Sequence, residues 1–199
     1  MGRARIVILA ALLPLLAFAL AATAAQSPAL KSGAFNPPRS APAFSLRGSD
    51  GAEVKLERYR GKVVALGFGY TSCPDVCPTT LFYLAQAREK LGAAGKDLQV
   101  VYVTVDPERD TAERLRQYLA SFDPTFIGAT GTSQQLADVR KAYGIQVSRE
   151  TLAGTQAGYL VHHSSFVYLI DRAGNIRALL PFGASVDDIA HDVNALLSG

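Results

Sequence analysis

Apolar and polar positions alternate along the chain in two rhythms. Lys62 to Tyr70 is apolar and rich in β-formers, as is Leu98 to Val105, and both runs predict strands. Pro78 to Leu91 carries Leu81, Leu84, Ala85 and Leu91 at helical spacing, with Gly92 placed to end the helix. Asp110 to Ser121 predicts a second helix, with Asp110 and Glu113 in capping-box spacing. A short strand at Thr125 to Ala129 leads to a third helix, Thr132 to Tyr143, boxed by Thr132 and Gln135 and closed by Gly144. Ser165 to Ile170 and Ile176 to Leu180 predict two strands around the turn-rich Asp171-Arg172-Ala173-Gly174-Asn175. Ser185 to Leu197 predicts a final helix, with Ser185 and Asp188 as its box.

Ahead of these elements, Ala43 to Leu46 and Glu53 to Leu56 flank Gly48-Ser49-Asp50-Gly51 and predict an N-terminal hairpin. Strand–helix alternation followed by a strand pair and a helix predicts an α/β class with a mixed central sheet flanked by helices. That is the order of a thioredoxin-like fold. A domain over 43–199 fits the length, and no internal repeat interrupts it.

The first residues read differently. Arg3 and Arg5 precede twenty uncharged residues, Ile6 to Ala25, which end in small residues of the A-x-A kind. Residues 1–25 are thus a secretory signal or a membrane anchor. Both place the remainder outside the cytoplasm, since the arginines stay on the cytoplasmic side. The Ser, Pro, Gly and Ala content of 26–42 predicts a linker.

Charge changes the picture little. Arg3 and Arg5 account for two of the 20 Lys and Arg, leaving 18 basic against 17 acidic residues. That near-balance gives no electrostatic reason to expect a nucleic-acid partner.

The candidate chemistry lies in Thr71-Ser72-Cys73-Pro74-Asp75-Val76-Cys77-Pro78, between the first long strand and the first long helix. In open α/β sheets, sites gather where strands end and helices begin. Cys73 and Cys77 are the chain's two cysteines. A helix N-terminus favours the thiolate, and thiolates suit soft metals such as Cu(I). If both cysteines share one helical turn, their i and i+4 spacing aims both sulfurs at one ion. A disulfide across so short a loop is feasible, but would constrain the unfolded chain only weakly. Three histidines are available for a third ligand. His191 lies amid Asp187, Asp188 and Asp192 and is expected in solvent. His162 and His163 are adjacent, so in extended structure they face opposite sides, and periodicity does not choose between them.

Gly69 to Pro78 closely resembles the cysteine motif of the Sco/SenC family of copper-binding assembly factors. Val105-Asp106-Pro107-Glu108-Arg109-Asp110-Thr111 and Tyr159-Leu160-Val161-His162-His163-Ser164 are similar to two further segments of that family. The similarity covers roughly residues 40 to 198. It implies a copper site formed by Cys73, Cys77 and His163, aligned on His-Ser. His162 stands where the family usually has Asp.

The resemblance further implies a role in delivering copper to, or preparing, the binuclear copper site of cytochrome c oxidase subunit II. A thiol reductase or copper donor would be a further partner. Two thiolates suit Cu(I), and an added imidazole supports Cu(II). An extracytoplasmic thiol–disulfide oxidoreductase is the alternative, with Cys73 and Cys77 as its redox-active pair. A peroxiredoxin-like peroxidase rests on fold alone. Asp106 to Thr111 is expected to turn the chain and cap the next helix, while Asp75 is not expected to be a ligand.

Overall fold

The computed structural model describes residues 29–154 and 158–199. The leader predicted at 1–25 therefore lies outside the described residues, as does the start of the predicted linker. Among the described residues, no helix is long and apolar enough to cross a membrane.

Among the described residues, ten strands and four α-helices follow in chain order. They are β1 (Gly33–Ser40), β2 (Leu46–Gly48), β3 (Glu53–Val54), β4 (Val63–Gly69), α1 (Val76–Lys90), β5 (Leu98–Thr104), α2 (Ala112–Ala120), β6 (Ile127–Thr130), α3 (Ser133–Tyr143), β7 (Val147–Thr151), β8 (Tyr159–His163), β9 (Val167–Ile170), β10 (Asn175–Leu180) and α4 (Val186–Ser198). One mixed eight-stranded sheet runs β1-β10-β9-β4-β5-β6-β2-β3. β4, β5 and β6 are parallel, and β9 pairs antiparallel to β4. The parallel centre is apolar because it is covered on both sides: every residue of β4 is buried. Leu81 and Leu84 of α1, Leu115 and Leu119 of α2, and Val193 and Leu196 of α4 complete the core. The predicted N-terminal hairpin is present as β2 and β3.

Three expectations need correction. The linker predicted at 26–42 instead contains β1, paired antiparallel to β10. Pro37 and Pro38 lack a ladder N–H, but they fall in the irregular stretch between Ala34 and Arg39 of an exposed edge strand, where none is required. Just before it, the amides of Lys31 and Ser32 donate to Asp192 of α4, so this segment is tied to the domain.

The cap predicted at Asp110 belongs to Thr111, whose side chain accepts from the Arg114 amide. Asp110 is wholly buried and its carboxylate is used elsewhere. The box predicted at Thr132 forms as expected, Thr132 and Gln135 bonding reciprocally, whereas at Ser185 only the cap forms: its hydroxyl accepts from the Asp188 amide and donates to the Asp188 carboxylate. Lastly, β7 and β8 form a separate two-stranded sheet that the pattern did not predict. Most of β7 is exposed on both faces, so it carries no alternation to read.

Candidate metal centre

The three predicted ligands come from three different elements. Cys73 lies in the turn after β4, where its amide donates to the Tyr70 carbonyl. Cys77 occupies the first turn of α1 and is 3% exposed. The two cysteines do not share a helical turn, because α1 begins only at Val76. His163 ends β8. Its Nε2 lies 3.3 Å from the Cys77 sulfur.

Strand geometry separates the two histidines as alternation requires. His162 points the other way and reaches Glu150 of β7 at 2.8 Å, with its side chain 60% exposed. His191 pairs with Asp192 on α4, partly buried rather than fully in solvent. Asp75 precedes α1 without capping it through its side chain. A cleft of about 220 Å³ lined by Tyr70, Cys73, Pro74, His162 and His163 opens the site to solvent.

The protonation pattern follows from these contacts. The ring Nδ1 of His163 lies 2.9 Å from the Ser164 carbonyl oxygen, which only accepts, so Nδ1 carries the hydrogen. In a neutral ring the lone pair is therefore on Nε2, the nitrogen nearest the Cys77 sulfur. The Cys77 thiol donates to Cys73 and so holds the Cys73 thiol down to about 3 against the cost of burial. The same contact, together with burial, pushes the Cys77 thiol up. One proton is thus shared by a pair in which Cys73 is the thiolate. Neither cysteine is in a disulfide.

Residues that sequence reasoning treated as turn and cap hold this arrangement together. Asp110 accepts from the Thr71 amide at 3.0 Å, the Thr71 hydroxyl at 2.6 Å and the Thr104 hydroxyl at 2.8 Å. Arg114 donates to the Thr71 hydroxyl from the other side. The start of the cysteine turn is thereby fixed to β5 and α2.

Asp106 and Arg109 fix the histidine side. The Tyr159 hydroxyl donates to Asp106 at 2.7 Å, and the Arg109 guanidinium lies 3.9 Å from the centre of the Tyr159 ring. Arg109 donates to Asp106 and to the Tyr159 carbonyl, while Arg149 of β7 bridges to Glu108 at 2.8 Å. Tyr70 joins the two sides: its hydroxyl accepts from the Val161 amide, and its ring meets His163 edge-on at 6.1 Å. The signal for these roles was the acidic spacing of Asp106 and Asp110, which is equally ordinary for a turn.

The donor set is two sulfurs and one imidazole nitrogen, soft donors with a lone pair directed inward, and it fits a thiophilic ion such as Cu(I). Among the described residues, no group of three His, Cys, Asp or Glu side chains already forms a metal cage. The donors touch, but they do not yet surround a common point.

Similarity to known proteins agrees with this geometry. The SCO2-like protein of Rickettsia prowazekii is 38% identical over 131 residues, which are 66% of this chain and 64% of that relative's length. The copper-bound structure of Bradyrhizobium japonicum ScoI superposes with a TM-score of 0.72 at 30% identity, over 79% of this chain and 99% of that one. The apo Sco1 solution structure from Thermus thermophilus gives a TM-score of 0.74 at 33% identity, over 84% and 97%. These are thioredoxin-like neighbours, as the element order predicts. The SCO1/SenC family model matches residues 34–198, and the chain belongs to the SCO1/SenC family.

Proposed function

We propose that this chain is an extracytoplasmic copper-binding assembly factor that holds copper through Cys73, Cys77 and His163. It delivers that copper to, or prepares, the binuclear site of cytochrome c oxidase subunit II. The observation that carries the reading is the 3.3 Å approach of the His163 Nε2 lone pair to the Cys77 sulfur, with the Cys73 thiolate in contact with both. Drawing the Cys73 turn slightly inward completes a three-donor cage, and the ion then takes the place of the shared proton. The solved relative from Bradyrhizobium japonicum holds copper, and subunit II as recipient follows from the resemblance. The charged leader at 1–25 supports export, either released or retained as an anchor.

Metal analysis of the anaerobically purified, reduced chain tests the reading. About one copper per chain is expected, lost in Cys73→Ser and Cys77→Ser and weakened by orders of magnitude in His163→Ala. Unchanged copper content in His163→Ala overturns the ligand assignment.

A second reading, thiol–disulfide exchange, is favoured by the unequal pair: Cys73 is the more exposed and the more acidic thiol, as an attacking sulfur should be. A Cys73–Cys77 disulfide consumes both sulfur donors, so copper loading and redox state are coupled. His163→Ala separates the readings, because it weakens copper binding while leaving both thiols able to reduce a disulfide substrate.

A further inference from the structure

Tyr102 of β5 contributes a hydroxyl that its surroundings do not explain. The residue is 3% exposed, and the hydroxyl oxygen has no well-formed hydrogen-bond partner among the described residues. A buried, unpaired hydroxyl is destabilising, and phenylalanine would fill the same space without that cost. The polar atom it faces is the Cys77 sulfur.

Gly69 is what allows the approach. A Cβ at that position would lie 1.9 Å from the Tyr102 hydroxyl oxygen and 2.7 Å from the Cys77 sulfur. The backbone conformation of Gly69 is not left-handed, so the need for glycine here is room. Glycine, phenol and thiol therefore meet in one small space at the end of the parallel strands, on the buried side of the cysteine pair.

We propose that the Tyr102 hydroxyl is a positioning donor to the Cys77 sulfur, formed fully when that sulfur is a metal-bound thiolate. This rests on the copper-binding reading above. A metal-bound thiolate is a strong acceptor, and a donor aimed at it withdraws electron density from the sulfur–metal bond. Tyr102 thus acts through Cys77 and does not itself bind the ion.

The experiment compares wild type, Tyr102→Phe and Tyr59→Phe in the full chain. Tyr59 is a second buried hydroxyl without a partner, in the core but away from the cysteines, so it controls for loss of a phenol as such. Three quantities are read: Cu(I) affinity by competition with a chromophoric chelator, the energy of the thiolate-to-Cu(II) absorption band, and the thermal midpoint of the metal-free chain. Tyr102→Phe is expected to weaken Cu(I) binding about tenfold, the low end for a hydrogen bond to a charged group. It also moves the band to longer wavelength and leaves the metal-free midpoint at or above wild type. Tyr59→Phe changes neither affinity nor band.

Unchanged affinity and band in Tyr102→Phe overturn the assignment, as does a lowered metal-free midpoint, which would make the hydroxyl structural. If wild type itself binds no copper, the proposed function fails and this inference with it. Copper bound normally by wild type and equally by Tyr102→Phe sinks this inference alone.

Discussion

Replacing Asp110 with alanine removes the acceptor on which three donors converge: the Thr71 amide, the Thr71 hydroxyl and the Thr104 hydroxyl. The carboxylate is fully buried, so water does not reach the orphaned donors. At about 1 kcal/mol for each, the expected loss is about 3 kcal/mol, the low end because the removed charge was itself costly to bury. That is a large share of the roughly 5–15 kcal/mol that stabilises a domain. Asp110→Asn keeps an acceptor oxygen and should lose only about 1 kcal/mol.

Denaturant unfolding of the reduced chain measures both. The midpoint should fall with an unchanged slope, since the exposed surface is the same. The two variants should also differ in pH response. Burial outweighs the threonine hydrogen bonds and raises the Asp110 pKa above its ordinary 3.8. A carboxyl raised by folding holds its proton more tightly in the native state. Its contribution is therefore greatest below 3.8 and declines as pH rises through the raised value. Asp110→Asn has no proton to lose and should lack that decline. An alanine variant within about 0.5 kcal/mol of wild type would refute the reasoning.

Four further outcomes are expected. With Cys73 already a thiolate at about 3, its alkylation rate should be flat between about pH 5 and 8, and Cys77→Ser should restore an upward slope; a wild-type rate that climbs through that range counts against the shared-proton pair. By linkage, the lowered Cys73 group stabilises the reduced fold fully above its unfolded value near 9.0 and loses that contribution as pH falls toward about 3. The raised Cys77 group withdraws stability at higher pH. Gly69→Ala should destabilise the chain by about 1–3 kcal/mol and displace the Cys77 sulfur, seen as lost copper binding and a lower melting temperature. Tyr159→Phe deletes the bond to Asp106 and should loosen β8, weakening copper binding while His162→Ala leaves it unchanged; equal effects in both would mean the wrong histidine has been assigned.

Most of the fold was legible because its central strands are buried on both faces and its helices bury one. Lys62 to Tyr70 and Pro78 to Leu91 announce themselves by composition and spacing, and β4 and α1 lie within a residue or two of those limits. The β7–β8 pair was not legible. It buries little, and an element stabilised by ion pairs and one tyrosine leaves no hydrophobic period. β1 was hidden for a related reason, since an edge strand takes its partner from β10 and tolerates the prolines that read as a linker.

Composition and spacing alone determined an α/β chain with two thiols at a strand-to-helix junction, because local backbone preference and burial are written residue by residue. Whether a histidine meets those thiols is a different kind of fact. Cys77 and His163 are 86 residues apart in the chain, and their contact exists only because a charged clamp at Asp106 and Arg109 holds a small outlying sheet against the core. Pleating then decides which of two neighbouring imidazoles turns inward, through the alternation of a strand whose existence only the folded chain reveals.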